Sequence, residues 1–413
     1  MEAILDFFGM SKLKSTKRGD DDRVDRLSRN VTVTMLVFFS IVVTTKTFVG
    51  EPIHCWVPPR FSGSQEDYIN SYCWIRNTYF LDHHEDVPLE HDETPKEEIT
   101  YYQWVPLILL IQALFFYMPY LFWKSCSNKT GLDLNSIVLA GESFNATETA
   151  EVRDKTMGYM TTQMDRYLAE SRKDFRKSRT ISFKQILACC TCLKGTCLYG
   201  FYMFIKVLFL INALLQFFAL TYIFGNGLEI IKSSVNDTGQ MMGSRHFPRT
   251  TMCDFKVRRL GNNHRTTVQC VLPINHFNEK IFILLWFWFL VVIVVTLFSI
   301  FIWLVRMFPR SRLDGYAQRH LDYALAAAND LDEDGNQSLQ SKQVKTFVDY
   351  LDRDGIFVMR MLAINADTIT ATDFLYALFE NFRNKKLISN TPGEDDVDVK
   401  MADTTFKRKF VKN

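Results

Sequence analysis

The chain carries little net charge: 48 Lys and Arg stand against 46 Asp and Glu over 413 residues, leaving +2. A balance this close says nothing by itself, and no nucleic-acid partner is expected. A cleavable leader is also missing. Lys12, Lys14, Lys17 and Arg18 follow the short apolar start where a leader would put them ahead of it, and no small-residue cleavage site appears. The first long apolar run is therefore expected to act as its own insertion signal. No phosphate loop, HExxH or nucleophile constellation is present, so nothing supports an enzyme or a cofactor. The CxxC of Cys189 and Cys192 has no second CxxC or histidine to complete a zinc site. Asp330, Asp332, Asp334 and Gly335 imitate the start of a calcium loop. Ser341, however, stands where a bidentate Glu is required and Gln337 where an aliphatic residue packs, so no metal is expected there.

What the chain has instead is four long apolar runs, Val31–Gly50, Trp104–Trp123, Tyr199–Phe224 and Ile281–Val305, each close to the ~20 residues a helix needs to cross a bilayer. Phe supplies 35 residues, and Trp and Tyr gather at the ends of the runs as an interfacial belt. The cationic residues then orient them. Residues 1–30, 124–198 and 306–413 hold seven, twelve and sixteen Lys and Arg; the loop 51–103 holds three against eleven acids, and 225–279 holds seven. Both termini and the middle loop are therefore read as cytoplasmic. The expected order is a cytoplasmic N-terminus (1–30), span (31–50), outer loop (51–103), span (104–123), cytoplasmic loop (124–198), span (199–224), outer loop (225–280), span (281–305), cytoplasmic C-terminal region (306–387) and a disordered tail (388–413).

This orientation sorts the cysteines. Cys55, Cys73, Cys253 and Cys270 fall in the two outer loops, on the oxidising side where disulfides persist. Four cysteines allow three connectivities, and spacing does not choose between them. Cys126, Cys189, Cys190, Cys192 and Cys197 face the cytosol, inert or S-acylated beside the membrane. The glycosylation sequon Asn236-Asp237-Thr238 lies outside, whereas those at Asn128 and Asn145 lie in the cytosol.

The spans also carry polar residues. In the first, Ser40, Thr44, Thr47 and Glu51 recur at intervals of four, three and four, which puts them on one helix face. A hydroxyl stripe suits a water-filled lumen; the alternative is that the hydroxyls bond back to helix carbonyls or pack against neighbours. Lys206, near the cytoplasmic end of the third span, is expected to snorkel. Asn212 and Gln216 are expected to hydrogen-bond to another helix. Pro119 should kink the second span. In the C-terminal region, Asp354-Gly355 is read as ending a helix, with glycine supplying a left-handed cap.

Several stretches resemble one family. Tyr101-Tyr102-Gln103-Trp104-Val105-Pro106, running through Phe115-Phe116-Tyr117-Met118-Pro119 to Trp123, looks like an innexin signature. So do Cys55-Trp56-Val57-Pro58, Tyr72-Cys73-Trp74, His246-Phe247-Pro248-Arg249, Cys253-Asp254-Phe255, Val268-Gln269-Cys270-Val271-Leu272 and Trp286-Phe287-Trp288. The similarity runs from about Asp25 to about Asn384. It implies an all-α membrane protein: a four-transmembrane-helix bundle with disulfide-stapled outer loops and a helical cytoplasmic dome. It also implies a plasma-membrane gap-junction channel subunit that forms a homo-oligomeric, octameric hemichannel docking to a second ring, alone or with other innexins. It pairs Cys55 with Cys270 and Cys73 with Cys253, and it assigns the N-terminal helix and first span to the pore. A glycan at Asn236 would oppose docking, leaving an undocked hemichannel of the pannexin kind as the alternative. A non-conducting four-span adhesion protein is the second alternative.

Overall fold

The structure, a computed structural model, describes residues 21–59, 61–81, 98–127, 131–147, 149–177, 196–236, 243–244, 246–259, 261–328 and 341–390. The expectations for the N-terminal helix, the calcium-like turn, Cys189, Cys190, Cys192, the sequon at Asn128 and the tail past 390 lie outside these residues.

In chain order the elements are α1 (Arg23–Val49, with a π-helical turn at Leu27–Val31), β1 (His54–Trp56), α2 (Gly63–Arg76), β2 (Thr78–Tyr79) and β3 (Glu98–Ile99). Next come α3 (Val105–Ser127), α4 (Leu134–Ala146), α5 (Ala150–Lys177), α6 (Cys197–Phe224) and α7 (Gly227–Asn236). Then follow β4 (Gly243–Ser244), β5 (Phe247–Pro248), β6 (Thr250–Arg259), β7 (Asn262–Val271) and α8 (Pro273–Met307). Last are α9 (Arg310–Ala328), α10 (Ser341–Asn365) and α11 (Thr368–Asn390). Helices α1, α3, α6 and α8 are long and apolar enough to cross a membrane. At 35 residues, α8 is longer than the fourth apolar run. It begins eight positions earlier because Pro273 suits a helix's first turn and Asn275, Asn278 and Glu279 after it are buried. Helix α3 runs through Pro119, whose missing N–H leaves one carbonyl without its usual donor.

The chain divides into two compact units, one drawn from residues 27–119 and 208–297, the other from 1–26, 120–207 and 298–413. The first carries the outer loops, whose order is not helical alone. An antiparallel sheet of order β1-β7-β6-β2-β3 lies there. Its centre is the β6–β7 hairpin, turned at Gly261, whose φ of 82° favours glycine. Period-two burial runs along both strands: Thr251, Cys253 and Phe255 on β6 and Val268 and Cys270 on β7 face inward. Helix α2 begins with a capping box, in which Gln65 Oε1 accepts from the Ser62 backbone N–H at 3.1 Å.

In the second unit α10 and α11 pack with α4 and α5, and α9 packs against α10 and α11. The expected break in α10 is displaced. Asp352 (φ 52°) takes the left-handed conformation, and Gly355 does not. Gly355 serves a different need, since a Cβ there would come within 2.8 Å of the Leu351 side chain. Asp354 is fully buried and caps α6: one carboxylate oxygen accepts from the Tyr199 backbone N–H at 3.0 Å and the other from the Tyr167 hydroxyl at 2.9 Å. Burial pushes the Asp354 carboxyl above its ordinary pKa, and these donors, with the backbone N–H groups of Leu198 and Cys197, oppose the rise. The Asn145 side chain is engaged inside this unit, accepting from Thr370 Oγ1 at 2.6 Å.

Lys206 does not snorkel. It is 0 % exposed, and its ammonium donates to Asp25 at 2.9 Å, Asp22 at 3.3 Å and Ser299 Oγ at 2.9 Å. The segment entering the first span thus brings two carboxylates to the lysine, which has no need to reach water. Tyr202 donates to the other Asp25 oxygen at 2.7 Å, and Trp303 Nε1 donates to Asp22 at 3.0 Å. Asn212 and Gln216 make no hydrogen bond to another helix among the described residues, and Asn212 Nδ2 is buried unpaired. Breaking a buried ion pair by removing one partner costs about 3–5 kcal/mol. Lys206→Met should therefore lower stability by that order in thermal unfolding of the purified protein, and adding Asp25→Asn should recover part of the loss.

Candidate functional site in the outer loops and first span

The outer loops are joined by two covalent links. Cys55 is bonded to Cys270 and Cys73 to Cys253, across sequence separations of 215 and 180 residues. Local structure brings each pair together. Cys55 and Cys270 sit opposite each other in the β1–β7 ladder. Cys73 is on the buried face of α2, one turn after Ile69, and Cys253 is on the buried face of β6. Both bridges lie in one apolar cluster with Ile53, Ile69, Phe255, Val268 and Leu272. Phe61 and Tyr72 pack edge-on against Phe255.

Polar contacts lock the same surface. Asp254 accepts from Arg265 at 2.6 Å, Thr267 Oγ1 at 2.6 Å and the Tyr79 hydroxyl at 3.2 Å, linking both strands of the hairpin to β2. Burial, with the Asp254 charge beside it, pushes the Tyr79 hydroxyl up to about 12. The Tyr101-Tyr102-Gln103 stretch acts as a clasp. Tyr101 donates to the His246 carbonyl at 2.6 Å, while Tyr102 and Gln103 donate to the Trp74 carbonyl at 3.1 and 2.5 Å. Arg249 pairs with the buried Glu279 at 3.1 Å. Asn236 is the last residue of α7, and the remainder of its sequon lies outside the described residues.

The first span separates its polar residues. Ser40 does not belong to an outward stripe: only 3 % exposed, it donates to the Pro106 carbonyl at 3.0 Å. It lies with Thr32, Leu36 and Val43 on the face buried within the chain, a row set by spacings of three and four. A small hydroxyl fits this close helix contact, and the carbonyl's second lone pair satisfies it. Thr44 and Thr47 are half-buried and donate to the carbonyls of Ser40 and Val43 at 2.7 and 2.9 Å, the self-capping pattern of hydroxyls in apolar helices. Glu51 is exposed and contacts His54 at 2.9 Å. The sequence does not reveal the clasp contacts or the Asp254 hub, although Tyr101, Tyr102, Gln103 and Asp254 all fall in the innexin-like stretches.

Losing a native bridge between distant segments typically costs about 2–5 kcal/mol. Cys73→Ser should lower the unfolding free energy of the purified protein by an amount of that order, seen as a lower unfolding temperature, and non-reducing peptide maps should recover Cys55 joined to Cys270. A Cys55–Cys73 peptide would contradict this pairing.

The comparison with known proteins is consistent along the whole molecule. The innexin family model matches residues 21–382. Innexin unc-9 of Caenorhabditis elegans is 33 % identical over 392 residues, covering 94 % of this chain and 98 % of the relative. Innexin-11 of the same organism is 35 % identical over 414 residues, covering 96 % and 87 %. Innexin eat-5, also from C. elegans, is 29 % identical over 420 residues, covering 98 % and 97 %. With four spans, two cross-linked outer loops and a family match from the entry of the first span into α11, the chain belongs to the innexin family.

Proposed function

We propose that this chain builds a plasma-membrane gap-junction channel in which eight copies, or copies mixed with other innexins, form a ring whose outer face docks to a ring in the adjacent cell. The observation that carries this reading is the outer face itself. Loops separated by two spans are merged into one disulfide-bridged sheet and helix. A surface ordered before contact loses less conformational freedom on association, and ring-to-ring docking needs that economy because each subunit contributes a small patch. The acid-rich first loop and the Asn236 sequon lie on the same side of the membrane. Asn236 is the sequon we assign to glycan addition. Conduction through the docked pair carries ions and small molecules. Paired cells that both express the protein should develop junctional conductance well above that of untransfected pairs. Current confined to isolated cells would favour an undocked hemichannel, and none in either setting would favour the adhesion reading.

For the pore we assign Thr44, Thr47 and Glu51 to the lumen and leave Ser40 out. Thr44 and Thr47 are half-buried where Ser40 is fully buried, and the exposed Glu51 follows them toward the outer mouth. Cysteines placed at Thr44 and Thr47 should react with a water-soluble thiol reagent in open channels and alter the current. A cysteine at Ser40 should react at least roughly tenfold more slowly, because solvent does not reach it. Equal rates at all three positions would overturn the assignment.

A further inference from the structure

Where the last apolar helix gives way to the cytoplasmic segments, α8, α9, α10 and the start of α11 line an open cavity of about 940 Å³. Its wall contains four arginines, Arg306, Arg312, Arg319 and Arg360, against one carboxylate, Asp322. None of the four forms a salt bridge among the described residues. Arg319 turns its Nε to the Gly315 carbonyl of its own helix at 3.0 Å, and Arg360 lies over the Tyr316 ring at 4.2 Å. Two donors are left buried without an acceptor: Arg360 Nε and the hydroxyl of Tyr316, a residue 8 % exposed.

This arrangement is costly unless an anion completes it. Four guanidinium groups around one cavity repel one another, and a buried donor without a partner costs about 1–3 kcal/mol. Burial first, and then the like charges of Arg306, Arg319 and Arg312, hold the Arg360 guanidinium below its ordinary pKa. A structural role would be met by a neighbouring Asp or Glu, as Asp22 and Asp25 meet Lys206. Here Asp322 is the one acid in the wall, no ion pair joins it to the arginines among the described residues, and the space is open. Guanidinium groups match phosphate oxygens in pairs, so several of them around a cavity of this size suit a ligand with more than one phosphate. The level of the site narrows the source. Arg306 is in the last turn of α8, one turn after Trp303, and an aromatic–cation pair at the cytoplasmic end of a span marks the level of the inner-leaflet headgroups.

We propose that this cavity binds a polyphosphorylated headgroup, with Arg319 and Arg360 gripping the phosphates, Tyr316 donating its hydroxyl, and Arg306 and Arg312 completing the positive rim. The headgroup belongs to a phosphoinositide of the inner leaflet or to a free inositol phosphate, which present the same chemistry.

The test uses the purified full-length protein in detergent. A fluorescent short-chain phosphatidylinositol bisphosphate is followed by anisotropy, with phosphatidylcholine of equal chain length as the blank. Saturable binding is expected for the bisphosphate and none for the blank. Arg319→Gln and Arg360→Gln should each weaken it about tenfold or more, the loss expected for one charged bidentate contact, and Arg360→Lys should recover part of the affinity. Arg383→Gln, exposed on α11 and outside the cavity, should leave it unchanged. If Arg360→Gln does not yield folded protein, Arg312→Gln at the exposed rim carries the test. Inositol trisphosphate competing as well as the lipid would assign the site to a soluble ligand, and failure to compete would assign it to the membrane. No saturable binding to the unaltered protein, or equal affinity in every variant, would overturn the proposal.

Discussion

Cys55–Cys270 and Cys73–Cys253 close loops of 215 and 180 residues, and the outer face depends on them. The two loops belong to segments that the membrane holds apart in sequence and that no turn could join. Once bonded, β1 is held against β7, α2 is held against β6, and a small apolar cluster closes over both bridges. Such a cluster is too small to order this much chain by burial alone, a limit that small extracellular domains commonly meet with disulfides. The Tyr101–Gln103 clasp and the Asp254 hub then settle the surface that the covalent links allow.

In the cytoplasmic unit the same part is played by charge. Lys206 sits where the third span leaves the hydrocarbon, and an isolated ammonium there would be strongly unfavourable. Two carboxylates from the segment entering the first span, Asp22 and Asp25, remove that penalty. Asp354 does the equivalent for backbone groups, covering the open N-terminus of α6 from the helix that begins beyond the Asp352 break. Both devices fix the ends of membrane helices by satisfying groups that water would otherwise have to reach. The arginine cavity stands in contrast, since its charges find no such partners within the described chain.

Membrane topology and family were legible in the sequence because each rests on a sum over many residues: apolar length, the count of Lys and Arg in each loop, and motifs tens of residues long. That all four outer cysteines face the oxidising side followed from the same counts, whereas their pairing came only through the family resemblance. Contacts that turn on a single orientation were not legible. Ser40 and Thr44 have the same chemistry four residues apart, yet one donates across to Pro106 and the other back to its own helix. Helix spacing shows which residues share a face and leaves open what that face meets. The outer sheet escaped for a related reason: alternating Thr, Cys and Phe on β6 becomes a buried row only when β7 is beside it.

The sequence by itself determined that this chain crosses a membrane four times, which side each loop faces, and which family it belongs to, since the bilayer responds to local hydrophobicity and charge wherever they occur. Tertiary structure alone decided that Lys206 is buried against two acids, that the break in α10 falls at Asp352, and that four arginines surround one cavity. Each of these depends on residues distant in the chain arriving at one point, and a buried charge or an unpaired donor has a consequence only after its neighbours are in place.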